Sequence, residues 1–155
     1  MLPRNVVISL SEVNRLFPEV THEASTGQNL TAVANPKGTR SVIYTNSDSA
    51  KKVTITIDQY ATLSAASSAY QEAVTKSKAV PGFRPIPVEN LGPNAFVGTV
   101  TQAGEIHVGL GALRGTLIVE VTLAGYDSTK ENIARLISLT REQELVAKGA
   151  IDRSE

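Results

Sequence analysis

The sequence predicts an α+β fold, a mostly antiparallel β-sheet of about six strands with three helices packed on it. Three observations carry that prediction. The stretch from Glu105 to Asp127, EIHVGLGALRGTLIVEVTLAGYD, reads as two apolar strands joined by a glycine-rich turn and delivered into a helix start. A second pair of alternating segments, over 40–57, is joined by the loop-forming run Asn46 to Ala50 and reads as a hairpin. Helical patterns at 9–17, 61–78 and 128–148 come singly between runs of strands, which is not the alternation of a βαβ fold.

The chain of 155 residues suits one domain, 1–155, able to bury a core without cross-links. A hydrophobic content of 41% with 19% charged residues is that of a globular chain. Lys+Arg and Asp+Glu both number 15, so the basic excess of a nucleic-acid or anionic-surface binder is missing. Cysteine is absent, which removes disulfides, thiol catalysis and Cys-ligated zinc together. No apolar run is long enough to span a membrane. The opening MLPRNVVISL is too short and too polar for a signal peptide. Met1 is the one methionine, a pattern that predicts a mature domain freed of a targeting segment. The expected location is extracytoplasmic: secreted, or anchored in the cell envelope through a segment outside this chain.

Taken in order, Ser9 and Glu12 form a capping box, and Leu10, Val13, Leu16 and Phe17 share one face of a helix that Pro18 stops. The polar stretch 21–39 admits a short edge strand at Leu30–Val33 before the Asn35-Pro36-Lys37-Gly38 turn. In the 40–57 hairpin, Val42 and Tyr44 alternate with Ser41 and Ile43, then Val53, Ile55 and Ile57 with Thr54 and Thr56. The 61–78 helix carries a small-residue stripe of Ala65, Ala66, Ala69, Tyr70, Ala73 and Val74, suited to close packing on a sheet. Lys76 and Lys78 complement its C-terminal end, and Pro81-Gly82 terminates it. Segment 81–94, with four prolines, is irregular, with Ile86 and Val88 as a short edge strand.

Antiparallel strands then occupy 95–126. Phe96, Gly98 and Val100 line one face, opposite Ala95, Val97 and Thr99. From Leu117 to Leu123 the alternation is strongest: Leu117, Val119, Val121 and Leu123 face a core, while Ile118, Glu120 and Thr122 face away from it. The last helix, 128–148, is capped by Ser128 with Glu131, or by Asp127, and is either continuous or broken near Thr140. Its tail, Ile151 to Glu155, reads as frayed. Hairpin plus helix recurs at 40–78 and 95–148, a coarse internal echo.

Chemical signatures are scarce. Gly109, Gly111 and Gly115 have the spacing G-x-G-x-x-x-G and lead into a strand, whereas a dinucleotide loop needs G-x-G-x-x-G and a helix N-terminus. They read as a hairpin turn or bulge. Glu105 and His107 share a strand face and offer an acid–base pair, yet zinc needs further ligands and His22-Glu23 lies in another segment. No G-x-S-x-G elbow occurs, Ser64, Ser67 and Ser68 read as ordinary helix serines, and the carboxylates Glu89, Glu105, Glu120 and Asp127 are scattered. Asn29-Leu30-Thr31 matches a glycosylation sequon. The expectation is therefore no catalytic residue, no metal and no cofactor. Speculative binding residues are Phe83, Arg84, His107 and Arg114, held on or near the proline-rich loop.

Four segments carry a resemblance across nearly the whole chain: SLSEVNRLF, KKVTITIDQYATLSAASSAYQEAV, VENLGPNAFVG and ALRGTLIVEVTLAG. In order and spacing they resemble actinobacterial exported domains. These are the lipoproteins with a PsbP-like α/β/α sandwich and the extracellular sensor domains of receptor-type Ser/Thr kinases. Many of those relatives carry cysteine pairs and this chain has none, so no binding residue is transferred. The resemblance implies a noncatalytic extracytoplasmic module that binds a ligand or protein. Expected partners are a protein, a second copy of the chain in a homodimer, or a small apolar or cell-envelope ligand; nucleic acid is not among them. Two other readings stand beside it: a small hydrolase or isomerase using Glu105 and His107, and an assembly or inhibitor module acting through a surface or a β-edge.

Overall fold

A computed structural model describes residues 1–89 and 91–154, the side chain of Ser154 excepted. Asn90 of the irregular 81–94 segment and Glu155 of the expected frayed tail lie outside the described residues. The elements in order are α1 (Leu10–Leu16), β1 (His22–Gly27), β2 (Gly38–Thr45), β3 (Lys52–Gln59), α2 (Leu63–Ala79), β4 (Arg84–Pro85), β5 (Ala95–Gln102), β6 (Glu105–Arg114), β7 (Leu117–Ala124) and α3 (Lys130–Ser154). Among the described residues the seven strands form one sheet, in the order β1-β2-β3-β7-β6-β5-β4. Every neighbouring pair is antiparallel. The class is α+β, with one strand more than the six expected.

The extra strand is β1. Its sequence, HEASTG, is exposed along nearly its whole length, so neither face is apolar and no alternation marks it. Backbone pairing to β2 makes it a strand, with an irregularity between Glu23 and Ser25 that suits an edge. The edge strand expected at Leu30–Val33 is not one, and Leu30 is 89% exposed in a turn. At the other edge β4 comprises Arg84–Pro85, just ahead of the expected Ile86 and Val88. The Ile86 amide still donates to the Val97 carbonyl at 2.9 Å.

One face of the sheet carries the main core. Val42, Tyr44, Val53, Ile55, Ile57, Val108, Leu110, Val119, Val121 and Leu123 are buried there with Val13 and Phe17 of the α1 region and Leu136, Leu139 and Ala147 of α3. α1 begins with the expected capping box, Ser9 accepting from the Glu12 amide and Glu12 from the Ser9 amide. α3 starts one residue later than a Ser128 cap and two later than an Asp127 cap would place it. Thr129 is the cap, its Oγ1 accepting from the Asn132 amide at 3.2 Å. α3 passes Thr140 without a break and continues to Ser154, beyond the 128–148 expected, with Ile151 packed against the core.

The polar residues that suggested a break at Thr140 are buried and satisfied. Thr140 Oγ1 donates to the Leu136 carbonyl at 2.8 Å. Gln143, fully buried, donates from Nε2 to the Val6 carbonyl at 2.6 Å and accepts at Oε1 from the Ile8 amide at 3.0 Å. An amide side chain thus fastens the N-terminal segment at Val6 and Ile8, while the Leu2 amide donates to the Thr39 carbonyl of β2 at 2.8 Å. Tyr44 adds to the clasp by donating to the Ile8 carbonyl.

The second face carries α2 and the 28–34 loop. Ala66, Ala69 and Tyr70 pack on Ile118 and Tyr60, with Phe96, Leu113, Val33 and Val74 around them. Ala65, at the margin of the expected stripe, is exposed. The two hairpin–helix units of the coarse echo therefore place α2 and α3 on opposite faces of the sheet.

The 28–34 loop covers Asp58 of β3, which is 3% exposed. Asp58 Oδ2 accepts from Asn29 Nδ2 at 2.9 Å, while Oδ1 is buried with no partner. The amide of the sequon is thus engaged, and Asn29 Oδ1 in turn accepts from the Thr31 amide and hydroxyl. Burial pushes Asp58 up to about 7, opposed by the Asn29 hydrogen bond and reinforced by nearby Glu120.

Two predictions follow from this packing. Val119→Asp places an unpaired charge between α3 and the sheet, at several kcal/mol, and should abolish the cooperative thermal transition; a transition near that of wild type would mean the face is misassigned. Because the folded state holds the Asp58 proton that the unfolded chain releases near pH 4, stability from this group falls as pH rises from about 4 to about 7. Relative to wild type, Asp58→Asn should therefore gain stability across that window, by at most roughly 1.4 kcal/mol per pH unit, in urea titrations at stepped pH. A difference between the two proteins that does not change with pH would contradict the buried carboxyl.

Candidate functional site

The antiparallel registers turn the α2-side face into a grid of side chains. Across β3, β7, β6 and β5, one row reads Thr56, Glu120, Gly111, Phe96. The next reads Thr54, Thr122, Gly109, Gly98. A third ends in His107 and Val100. Two adjacent glycines in the middle row remove the side chains from the middle of this face, with larger groups on either side.

That missing row is the floor of a cleft of about 190 Å³, open to solvent. Its walls are Phe83, Phe96, Val80 and Val100, and Glu120, Thr122, His107 and Ser77 supply the polar groups. Each glycine has its own reason. A Cβ on Gly98 would stand 2.3 Å from the Phe83 ring, and one on Gly111 2.8 Å from the Phe96 ring. Those two glycines let aromatic rings lie directly on the backbone. A Cβ on Gly109 would meet only Thr122 Oγ1, at 3.6 Å, so that position is left open.

This changes the reading of the glycine-rich stretch. Gly109 and Gly111 lie inside the continuous strand β6, away from any turn. Of the three glycines in the motif, Gly115 makes the bend, with φ +59°. A glycine in mid-strand and a glycine in a turn have the same sequence signature, and the ring positions that distinguish them come from β5 and the loop after α2.

Phe83 and His107 both line the cleft. Arg84 is exposed on edge strand β4, paired with Thr99. Arg114 lies elsewhere. Strand alternation puts it on the α3 side, where it donates to the carbonyls of Pro93, Leu113 and Leu91, each at 2.9 Å, and pairs with Glu144 at 3.3 Å. Its guanidinium ties the 91–93 loop to β6 and α3. Glu105 is exposed at the start of β6 and is not among the residues lining the cleft. Among the described residues no hydrogen bond joins Glu105 to His107.

Phe96 belongs to the proline-loop neighbourhood that the sequence points to, whereas Glu120 and Gly109 do not stand out there as site residues. Glu120 is the carboxylate that lines the same cleft as His107, two rows away in the register, and alternation along β7 already placed it on one face with Ile118 and Thr122. Burial raises Glu120 above the usual carboxylate range, opposed by a hydrogen bond from Thr56 Oγ1 at 3.4 Å. None of the ion pairs among the described residues involves Glu120 or Asp58. No group of three or more His, Asp or Glu residues suited to a metal ion occurs among the described residues. No helix of the described residues is long and apolar enough to cross a membrane.

No protein-family model matches the chain, and no curated protein matches it. Among solved structures, the fold is similar to the extracellular domain of PknH from Mycobacterium tuberculosis, with a TM-score of 0.67 at 13% identity. The alignment covers 90% of this chain and 93% of that domain. The likeness is one of fold, and it falls on the kinase sensor-domain side of the resemblance read from the sequence.

Proposed function

We propose that this chain is a noncatalytic extracytoplasmic domain that binds a small ligand in the cleft above the Gly98–Gly109 row. The observation that carries the reading is the open floor at Gly109, flanked by aromatic walls and a small convergent set of polar groups. An extracytoplasmic setting, secreted or held at the cell envelope, is supported by the shared fold with an extracellular domain. The PsbP-like lipoprotein affinity belongs to the same proposal. The noncatalytic part is supported by the position of Glu105, which is exposed at the start of β6 and is not among the residues lining the cleft with His107. Phe83 and His107 stay as ligand-contacting residues, while Arg84 is a rim residue and Arg114 a structural tie.

The test is a fragment screen by NMR on labelled protein, reading the His107 ring and the Gly109 amide. With two histidines in the chain, His107→Gln assigns the ring signal. Fragments that bind should move both signals, and Gly109→Val, which fills the floor, should remove those shifts while the thermal transition is kept. Fragments that bind Gly109→Val as they bind wild type would place the ligand site elsewhere.

A further inference from the structure

We propose that the cleft selects ligands with an aromatic or branched apolar body and a primary ammonium head, the head being held by Glu120. This rests on the cleft being the ligand site and adds the chemical class. Three observations on separate elements agree. First, the ring edges of Phe83 and Phe96 come down over Gly98 and Gly111 on either side of Gly109, and the free volume of about 190 Å³ is that of a single ring with a short chain. An apolar cavity of about 150 Å³ accommodates benzene.

Second, Glu120 reaches this space with a single long hydrogen bond from Thr56, and among the described residues it is in no ion pair and no Lys or Arg lines the cleft. Asp58, diagonal to it on β3, is itself held by a neutral amide, so that neighbour brings no cation either. A carboxylate removed from water without a cation is costly unless a partner arrives. The partner lacking on the chain is what a ligand would bring.

Third, the last turn of the 17-residue α2 borders the cleft through Ser77, and Val80 follows at its end. The C-terminal end of a helix carries partial negative charge from its unpaired carbonyls. Lys76 and Lys78 are exposed in that turn and do not line the cleft, and Lys76 is paired with Glu72 at 3.0 Å. A carboxylate ligand would meet Glu120 and the helix end with the wrong sign.

The experiment compares 2-phenylethylamine, 2-phenylethanol and 3-phenylpropionate on the intact chain, by titration of the His107 ring and Gly109 amide signals near neutral pH. Phenylethylamine should bind about tenfold tighter than the alcohol, the ratio expected when a neutral hydrogen bond becomes charge-assisted. The propionate should bind weakest. Glu120→Gln should bring the amine and alcohol to within about twofold of each other while leaving alcohol binding in place. Equal affinities for amine and alcohol in wild type, or an amine preference that survives Glu120→Gln, would overturn ammonium selection and leave the cleft as a ligand site. No response at His107 to any of the three probes would remove the cleft reading itself.

Discussion

Strand β7 has to be covered on both faces, and the rest of the molecule follows from how differently the two sides meet that demand. It pairs with β3 and β6 along its whole length, so its backbone is satisfied within the sheet and its side chains alone decide what packs above and below. On one side Val119, Val121 and Leu123 are sealed by α1 and the long α3. On the other, α2 covers Ile118 through Ala66, Ala69 and Tyr70 but leaves Glu120 and Thr122 at the edge of its footprint. Burial of apolar area is worth roughly 25 cal/mol per Å², so the sealed face accounts for most of the stability. The incompletely covered face is free to hold polar groups and an open floor.

The polar residues placed inside are consistent with this division. Gln143 and Tyr44 are buried in the sealed face because each meets backbone groups that would otherwise lie unpaired. Phe17 and Tyr126 meet edge to face with centroids 5.5 Å apart, and the Arg135 guanidinium sits 4.5 Å from the Phe17 ring. These contacts close the sealed core around α1. Asp58 and Glu120, by contrast, are carboxyls on the α2 side, each with one neutral hydrogen-bond donor. In a chain whose formal charge is balanced overall, Glu120 is the acidic group lining the cleft, and among the described residues no Lys or Arg lines it.

The fold class was legible where a strand has one apolar face. Leu117 to Leu123 and Val53 to Ile57 show it, and their alternation names the sealed side residue by residue. β1 was not legible because backbone pairing to β2, with no apolar stripe, makes it a strand. Continuity of α3 at Thr140 was hidden because Thr140 and Gln143 are polar yet buried, Thr140 bonding back to Leu136 in its own helix and Gln143 reaching partners at Val6 and Ile8 far away in sequence. The site was legible in part. Phe83 and His107 were singled out, but the floor was mistaken for a turn, since a glycine's neighbours across the sheet are set by register, a long-range property. The tie from Arg114 to the 91–93 loop was not legible, because an arginine that binds backbone carbonyls has no local pattern to distinguish it.

The most direct measurement is the unfolding free energy of three single variants, Gly98→Ala, Gly109→Ala and Gly111→Ala, by urea titration. If Phe83 and Phe96 lie on the backbone at Gly98 and Gly111 while Gly109 floors an open cleft, the outer two lose about 1–3 kcal/mol through overpacking. Gly109→Ala should stay within about 0.5 kcal/mol of wild type, as substitutions into free space do. Equal losses at all three positions would mean that the floor is filled and that the chain has no cleft there.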